Sequence, residues 1–85
     1  MANLGKYIIT TNEKGWTNLT QLAAIGETVV IQNTKNSCKV CDKATLPTNE
    51  GFIIPEGTIF EYTPGTNLWV TPYGTKNYVE INVSS

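Results

Sequence analysis

The chain contains no histidine and no arginine, and its six basic residues are all lysine. Without histidine it lacks the side chain that most often performs general acid–base catalysis near neutral pH. Without arginine it lacks the planar fork that grips guanine edges and phosphates. The seven acids are scattered and the net charge is −1, so no basic patch exists to neutralise a phosphate backbone. Nucleic-acid binding is therefore not expected. Long apolar runs are missing too. No stretch approaches the ~20 apolar residues of a membrane-crossing helix, so no membrane association is expected. The opening MANLGKYIITTN carries neither the apolar core nor the cleavage pattern of a signal peptide, which points to synthesis in a cytoplasm.

What is present is β-like. Threonine and asparagine are abundant, and the apolar set is led by the β-branched isoleucine and valine, which suit pleated surfaces. The 85 residues read as a single β domain spanning 1–85, with residues 1–5 as a flexible arm. A chain this short buries only about 60–65% of its unfolded surface, so association with a neighbour is an expected source of stability.

Residues 78–83 show the clearest pattern: Val79, Ile81 and Val83 fall on one face, Glu80 and Asn82 on the other. Similar runs at 6–11, 27–33, 38–42, 52–54, 58–63 and 68–71 read as strands. The polar cluster 33–37 has hairpin length, so 27–42 is expected to form a β-hairpin. Pro55-Glu56-Gly57 suits a type I turn with proline in its second position. The one helical claim is 17–25, where Leu19, Leu22 and Ala23 share a face, Thr17 or Asn18 can cap, and Gly26 can close. The sum is an all-β fold: a small two-sheet sandwich or barrel of about seven short, mostly antiparallel strands, with at most one short helical segment.

Catalytic chemistry finds little to work with. Ser37, Ser84 and Ser85 have no evident base, and Glu56 and Glu61 lack the cleft that a carboxylate pair requires. The chain therefore does not read as an enzyme, and no cofactor is implied. Cys38-Lys39-Val40-Cys41 has redox-motif spacing but lies in an expected strand, where positions i and i+3 point to opposite faces. Unpaired thiols, one buried and one near the surface, are expected. A disulfide, or half of a zinc site shared between subunits, is the alternative. Among the aromatics, Trp69 is expected to cover the core and Trp16 to pin the helical segment. Tyr73, in the loop Pro72-Tyr73-Gly74, is the best exposed contact candidate, and the tip at 34–36 is a second.

Several stretches together carry a resemblance. Trp16-Thr17-Asn18-Leu19-Thr20-Gln21-Leu22, Val29-Val30-Ile31-Gln32-Asn33, Gly51-Phe52-Ile53-Ile54-Pro55-Glu56-Gly57, Asn67-Leu68-Trp69-Val70 and the closing strand follow one another over residues 16–83. This succession resembles small virion proteins of tailed bacteriophages, above all the head decoration proteins that stabilise capsids. The resemblance implies a β domain without catalysis that sits on the outer capsid surface as a small oligomer, commonly a trimer. It would bind the major capsid protein, after synthesis in the host bacterial cytoplasm. The family assigns no contact residues to carry over, and the cysteine spacing is not one of its features. Leu4, Tyr7 and the loop tips are the expected contacts, and 78–83 is a candidate edge strand for joining another subunit. The alternative is a glycan- or receptor-binding module of a phage fibre, spike or tail tip, with Trp16, Tyr73 or Tyr78 stacking on sugars.

Overall fold

The structure is a computed structural model that describes residues 3–85, with side chains from Gly5 onward. Eight strands and one helical turn follow in order: β1 (Asn3–Thr10), β2 (Thr17–Asn18), α1 (Leu19–Leu22), β3 (Val29–Lys35), β4 (Ser37–Asp42), β5 (Phe52–Ile54), β6 (Ile59–Tyr62), β7 (Leu68–Tyr73) and β8 (Tyr78–Ser84). Their alternation builds the core. Val29 and Ile31 of β3, Val79, Ile81 and Val83 of β8, and Ile9 of β1 point inward from one sheet. Cys38 and Val40 of β4 and Leu68 and Val70 of β7 point inward from the other. Leu19 of α1 closes the same cluster. The domain is therefore an all-β sandwich of two four-stranded sheets, as its sequence pattern implies.

Strand order gives the architecture. One sheet runs β1-β8-β3-β6 and the other β2-β7-β4-β5, and every pairing is antiparallel. The pairs β1·β8, β2·β7, β3·β6 and β4·β5 are nested, as in one long two-stranded ribbon whose tip is the β4–β5 connection. Rolling that ribbon brings β8 beside β3 and β7 beside β4. The result is a double-sheet jelly roll. Apart from β4–β5, each strand passes to the opposite sheet from the one before it.

That topology corrects the expected hairpin at 27–42. Strands β3 and β4 are consecutive but belong to different sheets. Only Asn36 separates them, with φ 68°, whereas a tight hairpin turn needs two residues shaped for it. Side chains at this corner replace the missing ladder bonds. The Asn36 N–H donates to Glu56 Oε2 at 2.6 Å, and the Asn36 carbonyl accepts from Asn33 Nδ2 at 3.1 Å. Asn33 is fully buried, and its Nδ2 also reaches the carbonyls of Ile54 at 3.0 Å and Pro55 at 2.9 Å.

Four smaller differences follow from hydrogen bonding. Strand β8 lies between β1 and β3, so it is central, and the edges are β1, β2, β5 and β6. Residues 3–5 belong to β1, where Asn3 pairs with Ser84 across a bulge; Met1 and Ala2 lie outside the described residues. The expected helix keeps only one turn. Asn18 caps it through Oδ1, which accepts the Gln21 N–H at 3.1 Å. Ala24 at φ 53° and the Ile25 N–H on the Thr20 carbonyl at 2.9 Å then end it before Gly26. In the β5–β6 connection the Thr58 N–H donates to the Pro55 carbonyl at 3.2 Å, and Gly57 has φ 86°. Proline is thus the first residue of the turn, and glycine takes the third position that a type II turn reserves for positive φ.

Gly51 lets β5 lie close against β4. Its φ is 127°, and an added Cβ would sit 2.5 Å from the Val40 carbonyl oxygen. Gly51→Ala should cost about 2–4 kcal/mol in urea unfolding, combining backbone strain with a clash against backbone. Gly15→Ala, with positive φ but nothing within 4 Å, should cost only about 1 kcal/mol. Equal losses at the two positions would refute the close-approach argument.

Candidate functional site

Three surface features stand out, and β2 and β7 build the first. In register, Asn18 of β2 opposes Trp69 of β7 on the outer face, while Thr17 opposes the inward-facing Val70. Trp16 precedes β2. It is buried to 6% exposure yet lies outside the main core cluster, so it packs on the outer side of the sheet. Loop 43–50 anchors both indoles: Trp16 Nε1 donates to the Thr48 carbonyl at 3.4 Å, and Trp69 Nε1 to the Lys43 carbonyl at 2.8 Å. Glu50 holds that loop, accepting the Thr48 N–H at 2.7 Å and Lys43 Nζ at 3.2 Å. These bonds, the backbone N–H first, keep its carboxyl below the usual carboxylate range. Beside the indoles opens a cleft of about 470 Å³ lined by Asn12, Lys14, Trp16, Thr17, Asn18, Gln21, Leu22 and Trp69.

The second feature lies at the β3–β4 corner. Tyr73, 45% exposed, joins Asn36, Glu56 and Lys76 around a shallow hollow of about 300 Å³. Tyr73 ends β7 opposite Ser37 and not in the expected loop, and it meets the expected tip at 34–36 at one end of the sandwich. Tyr78 is half-buried on the outer face of its sheet, and its carbonyl accepts from Asn36 Nδ2 at 3.1 Å. Tyr7 packs against the core cluster instead of projecting freely. The side chain of Leu4 lies outside the described residues.

The third feature is apolar. Strands β5 and β6 are the edges of the two sheets on the flank next to the β3–β4 corner. Half-buried Ile54 and Phe60 pack against the core there, while Phe52, Ile53 and Ile59 stand 76%, 50% and 63% exposed. The parities of Ile53 and Ile59 place one on the outer shoulder of each sheet, with Phe52 at the rim. In sequence these residues look like ordinary strand positions; the signal that sets them apart is their place in short strands, where a neighbour on one side only leaves apolar groups uncovered.

Both thiols are free, but both are buried, so the expectation of one near the surface does not hold. Cys38 is 1% exposed in the inter-sheet core, and burial pushes its pKa up to about 12. Cys41 faces the other way, in register with Trp69 and beside Gly51. Burial first, then the Glu50 carboxylate, raises it as well. Opposite faces prevent the two sulfurs from joining in one site. Among the described residues no group of three or more potential metal ligands comes together.

Comparison with protein families, with curated proteins and with solved structures finds no match.

Proposed function

We propose that this chain is a structural protein without catalysis that decorates the outer surface of a tailed-bacteriophage capsid. It would bind the major capsid protein as a small oligomer, with a trimer the expected form. The observation that carries this reading is the apolar flank of β5 and β6. Isolated exposed apolar residues are normal on a soluble protein. Three large ones on adjoining edge strands, backed by half-buried Ile54 and Phe60, are what a docking surface requires. The unpaired backbone groups of those edges add a second means of attachment. The jelly roll itself occurs in viral capsid and lectin domains, which fits the reading only as fold-level analogy.

The energetics suit repeated contact. Burying a Phe or Ile side chain contributes about 1.5–3 kcal/mol, so the flank gives each copy modest affinity. Many copies on one lattice, or several sites in one oligomer, multiply it. The test is co-sedimentation with expanded, undecorated heads of the parent phage, paired with sedimentation velocity of the free protein. Phe52→Lys with Ile59→Lys should weaken binding by about 10²–10⁴-fold, while leaving the circular dichroism spectrum and unfolding midpoint unchanged. Heads that fail to take up the wild-type chain, or that take up the double variant equally well, would refute the proposal.

A further inference from the structure

The cleft beside the two tryptophans has a chemistry of its own and lies at the other end of its sheet from the apolar flank. In the order β2-β7-β4-β5, the cleft borders β2 and the flank borders β5. A chain docked by one leaves the other facing away. We infer that this cleft binds a neutral sugar ring, a hexose or N-acetylhexosamine within a glycan. The inference goes beyond capsid attachment and does not depend on it.

Three observations point to that ligand. The volume of about 470 Å³ falls within the ~300–1,000 Å³ of small-ligand sites. The wall combines indole with three carboxamides, Asn12, Asn18 and Gln21. Trp16 is buried, so the half-buried Trp69 supplies the ring surface, and an electron-rich indole attracts the polarised C–H groups on one face of a pyranose. A carboxamide offers donors and an acceptor together, which matches neighbouring hydroxyls that also donate and accept. Much of this capacity is unused inside the fold. Asn12 commits Nδ2 to the Trp16 carbonyl and to Thr17 Oγ1 and keeps its oxygen, and Asn18 commits Oδ1 to its helix cap and keeps its NH₂. The Gln21 amide is free of partners in the described fold. The third observation is charge: the lining holds one lysine, Lys14, and no carboxylate, so neither a strongly anionic nor a cationic ligand is selected.

Both tryptophans of the chain line this one cleft, so intrinsic fluorescence reads it directly. The intact protein is titrated with oligosaccharides ending in glucose, galactose, mannose and N-acetylglucosamine. At least one should give a saturable fluorescence change. Gln21→Ala, at an exposed position, should weaken that binding about tenfold through loss of a hydrogen-bonding side chain. Tyr73→Ala, at the hollow by the far end of β7, should leave it unchanged, as should Phe52→Lys with Ile59→Lys. No saturable change with any of the sugars would overturn the inference, as would undiminished affinity in Gln21→Ala or loss of binding in Tyr73→Ala. Head binding by the same wild-type preparation reports separately on capsid attachment.

Discussion

Replacing Asn33 by leucine should remove about 3–5 kcal/mol of stability in equilibrium urea unfolding. The side chain is fully buried, and its Nδ2 lies within 3.1 Å of three carbonyl oxygens: Asn36, Ile54 and Pro55. An amide nitrogen has two hydrogens, so one of them is shared. Leucine fills similar space but donates nothing; the Pro55 carbonyl still accepts from Thr58, so the Asn36 and Ile54 carbonyls are the ones stranded, at about 1–3 kcal/mol each. Those carbonyls lie in the β3–β4 corner and at the end of β5, so the single amide ties together both crossings between sheets on that flank. An 85-residue domain has roughly 4–13 kcal/mol of stability in all, so the loss is about a quarter of the total or more. Asn33→Asp should be worse still, since it places an acceptor-only, charged group against three carbonyls. An Asn33→Leu protein within about 1 kcal/mol of wild type would show that the corner is held by other means.

Asn33 also marks the boundary of what the chain discloses by itself. The alternation Val79–Ile81–Val83 is local, so the strand and its buried face are legible from residues alone. The hairpin reading of 27–42 failed because a short polar link between two strands looks the same whether they pair or arch over the core. The decision is made by β8 and β7, which take the neighbouring positions, and by Glu56, which supplies the acceptor for the corner N–H. One clue was present. Continuing the inward parity of Val29 and Ile31 lands on Asn33, and a polar residue on a core face demands local carbonyl partners. The aromatics follow the same rule. Trp16 and Trp69 are distant in the chain and share a cleft only because β2 pairs with β7. Tyr73, next to Pro72 and Gly74, was locally readable as exposed.

The apolar flank and the cleft are consequences of rolling one ribbon. Its tip, β4–β5, carries the only pairing between consecutive strands among the described residues, and β5 has just three residues. A strand that short covers little, so Phe52 and Ile53 stay bare and the half-buried Phe60 and Ile54 are shielded from one side. At the other edge β2 has two residues and gives way to α1, so the outer face of β7 is left without a full neighbour. Trp16 and loop 43–50 cover part of that gap and leave the cleft. Two short edge strands thus place an apolar surface and an amide-lined surface on opposite margins of one small domain. Each surface can then be altered by mutation without touching the other.

Cys38 should resist thiol reagents until the domain unfolds; Cys41 is buried too, at 9% exposure, but lies outside the inter-sheet core, so it should be the faster of the two to react. Only the thiolate attacks such a reagent, and with its pKa pushed up to about 12 from 9.0, Cys38 holds roughly 10³-fold less thiolate than an open cysteine at pH 8. At 1% exposure it is sterically closed as well, which leaves global opening as its route to modification. In Cys41→Ser protein the labelling rate should therefore track urea concentration as stability does. The same burial makes a pH prediction. The folded pKa lies above the unfolded value, so the stabilisation from a neutral Cys38 thiol is complete below about pH 9. It declines as pH rises towards 12, by at most about 1.4 kcal/mol per pH unit. Tyr62, whose hydroxyl burial also raises above its usual 10, acts in the same direction. Alkaline unfolding should consequently be shallower in Cys38→Ala measured in a Tyr62→Phe background than in Tyr62→Phe alone. Native-state labelling of Cys38 as fast as that of Cys41, or parallel alkaline slopes in those two proteins, would mean that the space between the sheets is open to solvent.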